Sequence, residues 1–204
     1  HGETALAKIG EGTHAAFWSP LVLHTNLGLA YYHLGPQTRD RALEQFELAL
    51  AVEPGSATAH YHVGLGRLAE GDAAGAATSF RRCLELRPGD FLARGNLATA
   101  LLRLRRVDEA LALLETLVAE RPGNRTNRTN LASALLAAGR HADARRWLEE
   151  LAEEPPEVAG VLAKLAWCQL EAGERALALA TWLEARAADP ALPLVLLAHS
   201  GPSG

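Results

Sequence analysis

The chain has 204 residues, of which 49% are apolar and 22% are charged, and its formal net charge is −4. This balance excludes a disordered chain, which would be poorer in apolar residues and higher in net charge. No apolar run approaches the roughly 18 residues that indicate a membrane span, and the negative net charge argues against a nucleic-acid partner. Alanine and leucine dominate while aromatic residues make up only 5%, which favours helices.

Three residue types indicate what kind of chain this is. Cys83 and Cys168 lie far apart in the sequence without CxxC spacing, so we predict no zinc, haem or redox motif. The sequence contains no methionine, and its opening, HGETALAKIG, lacks the pattern of a signal peptide. We therefore expect a processed chain or a segment of a longer one. Arginine outnumbers lysine 18 to 2, which is typical of a GC-rich bacterial coding sequence and indicates the cytoplasm or periplasm of a bacterium.

Residues 1–20 form an N-terminal segment that precedes the regular part of the chain. A short run from Glu3 to Ile9 has helical spacing. We expect it to be the remnant of a preceding helix.

From residue 21 onward the sequence repeats every 34 residues. Prolines set this period, and an alanine lies 12 residues before each of them, at Pro54, Pro88, Pro122, Pro156 and Pro190 and at Ala42, Ala76, Ala110, Ala144 and Ala178. A turn glycine recurs at Gly35, Gly71, Gly139 and Gly173, with Arg105 in its place in the third repeat. Because proline ends a helix, each repeat is predicted to be an antiparallel pair, helix A and then helix B. The predicted repeats are 21–56, 57–90, 91–124, 125–158 and 159–192.

A second set of small residues predicts where the two helices of a repeat touch. The small residues on helix A are Gly28, Gly64, Ala98, Ala132 and Ala166, and the large apolar residues on helix B are Phe46, Phe80, Leu114, Leu148 and Trp182. The distance between two packed helices depends on the side chains at their contact. We therefore expect a close approach of helix A to helix B at each small residue.

This pattern resembles the tetratricopeptide repeat family. The segment HYHVGLGRLAEGDAAGAATSFRRCLELRPGD, residues 60–90, follows the family's spacing of small residue, aromatic residue and proline, and the likeness covers about 170 residues. The resemblance implies an all-α, right-handed α-solenoid of five helix–turn–helix repeats with partial helices at both ends, helix A being concave and helix B convex. The chain departs from the family where helix A usually carries a tryptophan, at His24, His60, Arg94, Arg128 and Leu162.

Residues 193–204, PLVLLAHSGPSG, begin like another helix A and end in a Gly/Ser/Pro stretch. A terminal helix should have a polar outer face, yet Leu194 to Leu197 is apolar throughout. Two interpretations remain open: a short cap helix folded onto the fifth repeat, or a docking patch for a partner or a second copy.

The sequence lacks catalytic motifs such as a phosphate-binding glycine loop, HExxH or GxSxG. His60 and His62 project about 200° apart on one helix and cannot chelate the same ion. His24 and His60 occupy equivalent positions in neighbouring repeats, where half-buried histidines are a better interpretation than a metal site. We predict a non-catalytic chain without metal or cofactor.

The resemblance implies that a ligand binds in the concave groove, to side chains of helix A. One helix A position reads Asn26, His62, Asn96, Asn130 and Lys164 in the five repeats. This row looks like the asparagine ladder of the repeats in O-linked N-acetylglucosamine transferase, whose amides hydrogen-bond the backbone of an extended peptide. An amide suits that role because it both donates and accepts, although local packing is an alternative. The same register places further groove residues at Tyr32, Tyr61, Thr99, Arg103, Thr129, Ser133 and Trp167.

The carboxylate clamp that some family members use for chaperone C-termini is not matched. Asn130 and Lys164 fall on clamp positions, but Gly95, Thr99 and Gly160 occupy the others. We therefore expect a different protein or peptide ligand.

Charge is unevenly distributed along the chain. Between Phe91 and Trp147 there are ten arginines and five acidic residues, a local net charge of +5, so the rest of the chain carries −9. This pattern indicates an acidic ligand, or pairing of copies through the termini, with an ordinary solvated surface as the alternative.

Three functions therefore remain open. The first is a non-catalytic interaction module that holds a peptide or protein segment in its groove. The second is a regulatory or substrate-recruiting domain of a larger enzyme, and the third is a self-assembling scaffold.

The repeated triplet NRTNRT forms two glycosylation sequons at Asn124 and Asn127, which we interpret as incidental although the Asn127 side chain is predicted to be exposed.

Overall fold

The computed structural model describes residues 19–154 and 158–192, and these residues form ten α-helices and one 3₁₀ turn. The first five helices are α1 (Pro20–Leu34), α2 (Arg39–Val52), α3 (Ala57–Glu70), α4 (Ala73–Leu86) and α5 (Phe91–Arg103). The other five are α6 (Val107–Glu120), α7 (Arg125–Ala137), α8 (His141–Ala152), α9 (Val158–Glu171) and α10 (Arg175–Ala188). The prediction of an all-α helical repeat fold is confirmed.

The chain divides into two compact units, His1–Leu104 and Arg105–Gly204, hereafter unit 1 and unit 2. The division falls between α5 and α6, inside the predicted third repeat, which the uniform 34-residue spacing does not anticipate. Within unit 1 each of the helices α1 to α5 packs on the next, and α3 also touches α1 and α5. Within unit 2 the helices α6 to α10 pack in the same sequential way, and α7 also touches α9.

The repeated alanines and glycines lie at the tightest helix contacts. The alanines that precede each proline by 12 residues are completely buried, at Ala42, Ala76, Ala110, Ala144 and Ala178. In unit 1 a Cβ built on Gly28 would lie 2.5 Å from the Phe46 ring, and one built on Gly64 would lie 2.6 Å from the Phe80 ring. Helix A therefore needs glycine at these two positions because the phenylalanine of helix B occupies the space of a methyl group.

Side-chain caps begin several helices and reinforce the period. Ser56, Asp90 and Asn124 accept hydrogen bonds from the backbone N–H groups of Ala59, Ala93 and Asn127. These caps are spaced by one repeat and satisfy N–H groups that the first helical turn leaves without partners. The first sequon asparagine is thus a helix cap. The second, Asn127, is only 4% exposed, so the prediction that its side chain is exposed was wrong.

Turn residues between the helices of a repeat adopt positive φ angles. The glycines have φ values of +119° at Gly35, +91° at Gly71, +74° at Gly139 and +80° at Gly173. Arg105 takes the same role with φ +60°, the one such non-glycine in the described residues. A left-handed conformation brings the Cβ of an L-residue close to the following carbonyl oxygen, so Arg105 carries strain that the glycines avoid.

Replacing Arg105 with glycine is expected to raise the free energy of unfolding by about 0.5–1 kcal/mol. Relief of the left-handed strain contributes about 1–2 kcal/mol, and the greater freedom of glycine in the unfolded chain offsets about 0.4–1 kcal/mol of it. Urea denaturation measures the change. The reciprocal substitution Gly71→Arg is the matched control, because a Cβ there meets nothing within 4 Å; it should destabilise through the backbone alone. Destabilisation by Arg105→Gly would contradict this account.

The helix A positions that lack the family's tryptophan are packed in several different ways. His24 hydrogen-bonds the Gln45 side chain at 2.8 Å, and a ring nitrogen of His60 lies 3.0 Å from the carbonyl oxygen of Pro54. Arg94 stacks over the Phe91 ring at 5.9 Å, and Leu162 is simply buried. Arg128 is only 8% exposed and pairs with Glu154. Polar residues replace the aromatic ring here because each finds a specific partner.

Two sequence predictions lie outside the described residues. They are the helix expected around Glu3 to Ile9 and the apolar tail from Leu194 to Leu197. Pro156, the fourth proline of the period, also lies outside them.

Candidate functional site

In unit 1, the predicted groove residues on α3 and α5 are joined by a hydrogen bond. The Asn96 amide donates to the Tyr61 hydroxyl at 3.2 Å. Burial, with a further contribution from the Asp90 charge, raises the pKa of Tyr61, so the hydroxyl stays protonated. Asn26, on α1, is exposed. The amide of Asn96 therefore has a local packing partner, while that of Asn26 faces solvent.

His62 differs from the asparagines of its row. Its ring stacks on buried Phe46, with centroids 5.1 Å apart, and meets Tyr61 edge-on. Burial, assisted by the Arg87 charge, lowers the pKa of His62 and favours the neutral ring. The imidazole thus packs between helices, and its Nδ1 atom is buried without a hydrogen-bond partner in the described residues.

The other predicted groove residues of unit 1 stabilise helices. The Arg103 guanidinium donates to the carbonyl oxygen of Leu68 at 2.7 Å, which satisfies the C-terminal end of α3. Thr99 donates to the Gly95 carbonyl within α5 at 3.2 Å. Tyr32 is half-buried against the core formed by Ala42, Phe46 and Val63. These contacts hold the helix A side chains of unit 1 in place, and Asn26 remains exposed among them.

In unit 2, the predicted groove residues lie on α7 and α9, the helix A members of repeats 4 and 5. Ser133 donates to the Thr129 carbonyl at 2.8 Å, and Asn130 is half-buried beside them. Lys164 is half-buried on α9, and Trp167, one turn further on, is 36% exposed. The two helices contact each other, so these side chains share one surface, hereafter the helix A face of unit 2.

A cavity of about 370 Å³ opens on this face. Arg125 and Thr129 contribute to it from α7, and Asp189 follows the end of α10. The first turn of α9 and Lys164 complete the lining, which includes Gly160. A Cβ built on Gly160 meets nothing within 4 Å, so the space beside that backbone is open.

The cations of this cavity are incompletely paired within residues 19–154 and 158–192. Burial lowers the pKa of Lys164, and no carboxylate there lies within ion-pair distance of its ammonium group. Arg125 donates through Nη1 to the carbonyl oxygen of Leu151 at 3.1 Å and to Glu154 at 3.4 Å. Its Nη2 atom is buried without an acceptor. The Lys164 ammonium group is therefore the charged donor that the cavity offers, whereas the Nη2 atom of Arg125 is closed off from solvent.

Sequence reasoning identified Thr129 and Lys164 but missed the other five lining residues as parts of a site, among them Arg125, Gly160 and Asp189. Arg125 is the first residue of α7, and Gly160 lies in the first turn of α9. The signal that could have found Gly160 is its place in a first helical turn, where backbone N–H groups lack partners within the helix.

Much of the positive charge counted between residues 91 and 147 is compensated by nearby acids. Glu154 pairs with both Arg125 and Arg128, and Arg145 pairs with Glu149 and Glu174. All three glutamates follow residue 147 in the sequence, so the excess seen in one stretch is balanced in space. A positive surface confined to this stretch is therefore weaker than its composition indicates.

A larger cavity of about 550 Å³ lies elsewhere in unit 2, among α6, α7 and α8. Leu131, Leu135 and Trp147 line it. Two arginines line it: Arg140 is paired with Glu115 at 3.6 Å and with Asp143 at 2.8 Å, and Arg146 is exposed to solvent. This cavity has the greater volume, but the helix A face has the buried polar atoms that still need partners among the described residues.

Other chemistry is sparse across the described ranges. No cluster of three or more histidine, cysteine or acidic residues is arranged there to hold a metal ion. None of the described helices is long and apolar enough to cross a membrane. Cys83 and Cys168 are both buried free thiols, and burial raises the pKa of each.

Family models establish what the repeats are. Two models, both described as tetratricopeptide repeat, match residues 27–91 in one case and residues 67–127 and 105–165 in the other. Together they span most of the chain. The chain belongs to the tetratricopeptide repeat family. No curated protein sequence gives a significant match to it.

Solved structures support the same fold at low sequence identity. Residues 41 to the end of MamA from Desulfovibrio magneticus RS-1 are 19% identical with a TM-score of 0.73, over 86% of this chain and 98% of that one. YrrB, described as a TPR protein with an unusual peptide-binding site, is 20% identical with a TM-score of 0.66, over 83% and 86%. TTC0263, a thermophilic TPR protein from Thermus thermophilus, is 21% identical with a TM-score of 0.65, over 84% and 92%. At such identities these likenesses concern the fold.

Proposed function

We propose that the protein is a non-catalytic interaction module that holds a segment of another protein on its helix A faces. The observation that carries this proposal is the cavity on the helix A face of unit 2. Polar and apolar residues both line it, and its two cations, Arg125 and Lys164, lack full partners among the described residues. Buried polar groups are normally satisfied, so a ligand that supplies acceptors would complete this surface.

Family membership and one neighbour support the proposal. Repeats that stack side by side build extended binding surfaces, and YrrB is described as having a peptide-binding site. On the helix A face of unit 2, an extended segment would use the Asn130 amide for backbone hydrogen bonds and the half-exposed Trp167 for apolar contact. In unit 1, taken by itself, the exposed Asn26 amide would serve in the same way.

The amide row is tested by the double variant Asn96→Ala with Asn130→Ala. Peptides are first selected from a random displayed library on the wild-type protein, and their affinities are then measured by calorimetry. The double variant is expected to bind at least about tenfold more weakly, which corresponds to the loss of one or two hydrogen bonds. Its helicity should be unchanged, and its melting temperature should fall only slightly, because the Asn96–Tyr61 hydrogen bond is lost.

Tyr61→Phe is the matched control for the Asn96→Ala substitution of the double variant. It removes the hydroxyl that accepts from Asn96 but keeps the amide, so it should leave peptide affinity unchanged. If Tyr61→Phe weakens binding as much as the double variant does, the amides act through packing. Normal binding by the double variant would show that the row is structural.

A further inference from the structure

Helix B of one repeat packs against helix A of the next repeat at several places in the chain. This contact joins α2 to α3 and α4 to α5 in unit 1, and α6 to α7 and α8 to α9 in unit 2. Among the described residues, α1 has no helix B before it and α10 has no helix A after it. Each of these two helices therefore presents one half of such a contact.

The contact of α2 with α3 shows which positions the two halves use. A Cβ built on Gly66 of α3 would lie 3.0 Å from the Leu43 side chain of α2. One turn further along α2, Glu47 pairs with Arg67 of α3 at 3.3 Å. The helix B half thus uses positions 43 and 47, and the helix A half uses positions 66 and 67.

The helix B half is apolar and exposed on α10. The 34-residue period places Leu179 at the position of Leu43 and Leu183 at the position of Glu47. Leu179 is 41% exposed and Leu183 is 56% exposed. The position of Leu183 is charged in the other four repeats, at Glu47, Arg81, Glu115 and Glu149. Exposed leucines one turn apart on a helix form an apolar patch that is typical of an interaction surface.

The helix A half on α1 has changed in the matching way. After allowance for the two extra residues of the first repeat, Ala30 stands at the position of Gly66 and Tyr31 at that of Arg67. The Gly66 position is buried in the four later repeats, at Gly66, Ala100, Ala134 and Cys168. Ala30 is exposed instead, and Tyr31 is half-buried. The ion pair of the α2–α3 contact is thus replaced by leucine on α10 and by tyrosine on α1.

Charge does not oppose a contact between these two helices. The sequence of α1 contains no lysine, arginine or acidic residue. Arg41 of α2 stacks over the Tyr31 ring at 5.9 Å. On α10, Glu184 and Arg186 border Leu183 and balance each other, and Arg186 is half-buried, so its aliphatic stem can pack beside the leucines.

The tail that follows α10 matches the helix A pattern poorly. Continuing the period, His199 falls at the position of Leu165 and Pro202 at the position of Cys168. A proline inside a helix removes a hydrogen bond and clashes with the preceding turn. α1 has Leu27 and Ala30 at these two positions, so it suits the exposed side of α10 better than the tail does.

We propose that α10 of one copy of the protein packs against α1 of a second copy and so repeats the helix B to helix A contact found inside each unit. The contact is heterologous because its two halves lie on different helices, and head-to-tail contacts of this kind give rings or open filaments. One helix on each side makes a small interface, so the association should be weak and depend on concentration. This inference goes beyond the proposed function, because the contact uses neither Asn130 nor the unit 2 cavity.

Sedimentation equilibrium of the full chain, up to millimolar concentration, measures the association. The average mass of the wild type is expected to rise above the monomer mass of 21.8 kDa as the concentration increases. Leu179→Glu and Ala30→Glu should each raise the dissociation constant at least about tenfold, because each puts an unpaired carboxylate into the contact. Both residues are exposed, so helicity should be unchanged. Leu177→Glu is the matched control, because this exposed leucine of α10 lies about 200° around the helix from Leu179 and should not affect association.

A mixture of the two variants tests the head-to-tail arrangement directly. Leu179→Glu keeps the α1 half and Ala30→Glu keeps the α10 half, so an equal mixture should form a heterodimer and nothing larger, although neither variant associates alone. A mixture that stays monomeric would overturn the inference, as would a wild type that is monomeric at every concentration. Disruption by Leu179→Glu but not by Ala30→Glu would also overturn it, because α10 would then pair with itself. Peptide binding is measured separately, so failure of the assembly leaves the interaction module untouched.

Discussion

Gly64→Ala is expected to lower the free energy of unfolding by about 2 kcal/mol, although alanine is the better helix former. A methyl group at residue 64 would lie 2.6 to 2.9 Å from three atoms of the Phe80 ring. Phe80 is completely buried and cannot swing away. Overpacking of this kind costs up to about 3 kcal/mol, and the helix propensity of alanine offsets about 1 kcal/mol. The steric cost therefore exceeds the gain in helix propensity, and Gly64→Ala is expected to destabilise the protein.

The same substitution should become stabilising once the ring is gone. Phe80→Leu removes the atoms that the methyl group would strike, and only the propensity gain of up to about 1 kcal/mol then remains. Other repeats of the chain already contain alanine together with leucine at these two positions. Repeats 3 and 4 combine Ala98 with Leu114 and Ala132 with Leu148, whereas repeats 1 and 2 combine glycine with phenylalanine.

Urea denaturation of the four proteins in this double-mutant cycle measures the coupling between residues 64 and 80. Gly75→Ala would be a poor control, because a Cβ there meets the capping Asp72 carboxylate. Gly89→Ala is the better one, because a Cβ there meets nothing within 4 Å. An increase in stability from Gly64→Ala in the wild-type background would contradict the steric account.

The fold could be predicted because the close helix contacts of each repeat require small residues at fixed positions in the sequence. A completely buried alanine recurs at one register position in all five repeats, from Ala42 to Ala178, so its spacing reveals the helix contact. The division into two units could not be predicted in this way. It falls at the α5–α6 turn, where the only irregularity in the sequence is Arg105 in place of glycine.

The candidate site was predicted less completely, because hydrogen-bond partners are not periodic. The register placed Thr129 and Lys164 on one face, and the structure brings both to one cavity. It could not show that His62, in the same row as the asparagines, stacks on Phe46. Nor could it show that the Asn96 amide already donates to Tyr61. The role of these residues in binding stays a prediction.

Arg128, which is buried, and Glu154, which is half-exposed, form an ion pair in unit 2. The two guanidinium nitrogens of Arg128 donate to the two carboxylate oxygens at 2.9 and 2.6 Å. Arg128 is 8% exposed, whereas the Glu154 side chain is 43% exposed. The arginine thus depends on its partner far more than the glutamate does, because a buried charge without a partner is strongly unfavourable.

The two single variants of this pair should therefore differ in stability. Glu154→Gln leaves a buried guanidinium without its counter-ion and is expected to lower the melting temperature clearly. Arg128→Leu is expected to be nearly neutral, because apolar side chains of similar volume often replace a buried ion pair without loss. Leu162 already fills the equivalent position of repeat 5 at 7% exposure. The exposed pair Arg82–Glu85 provides the control, since Glu85→Gln should change little.

The pH dependence of stability gives an independent measurement of the same pair. The Arg128 hydrogen bonds, and to a smaller extent those of Arg125, hold the pKa of Glu154 below its ordinary value. A carboxyl group with a lowered pKa in the folded state stabilises the protein above its unfolded pKa of about 4.3, and this contribution is lost as the pH falls through the folded value. Wild type should lose stability more steeply than Arg128→Leu as the pH falls below about 4. The ion pair is not what stabilises buried Arg128 if the melting temperatures of the two proteins fall in parallel across that range. The same conclusion follows if Arg128→Leu destabilises the protein more than Glu154→Gln does at neutral pH. In that case the polar residue at the tryptophan position would owe its burial to packing of its aliphatic stem.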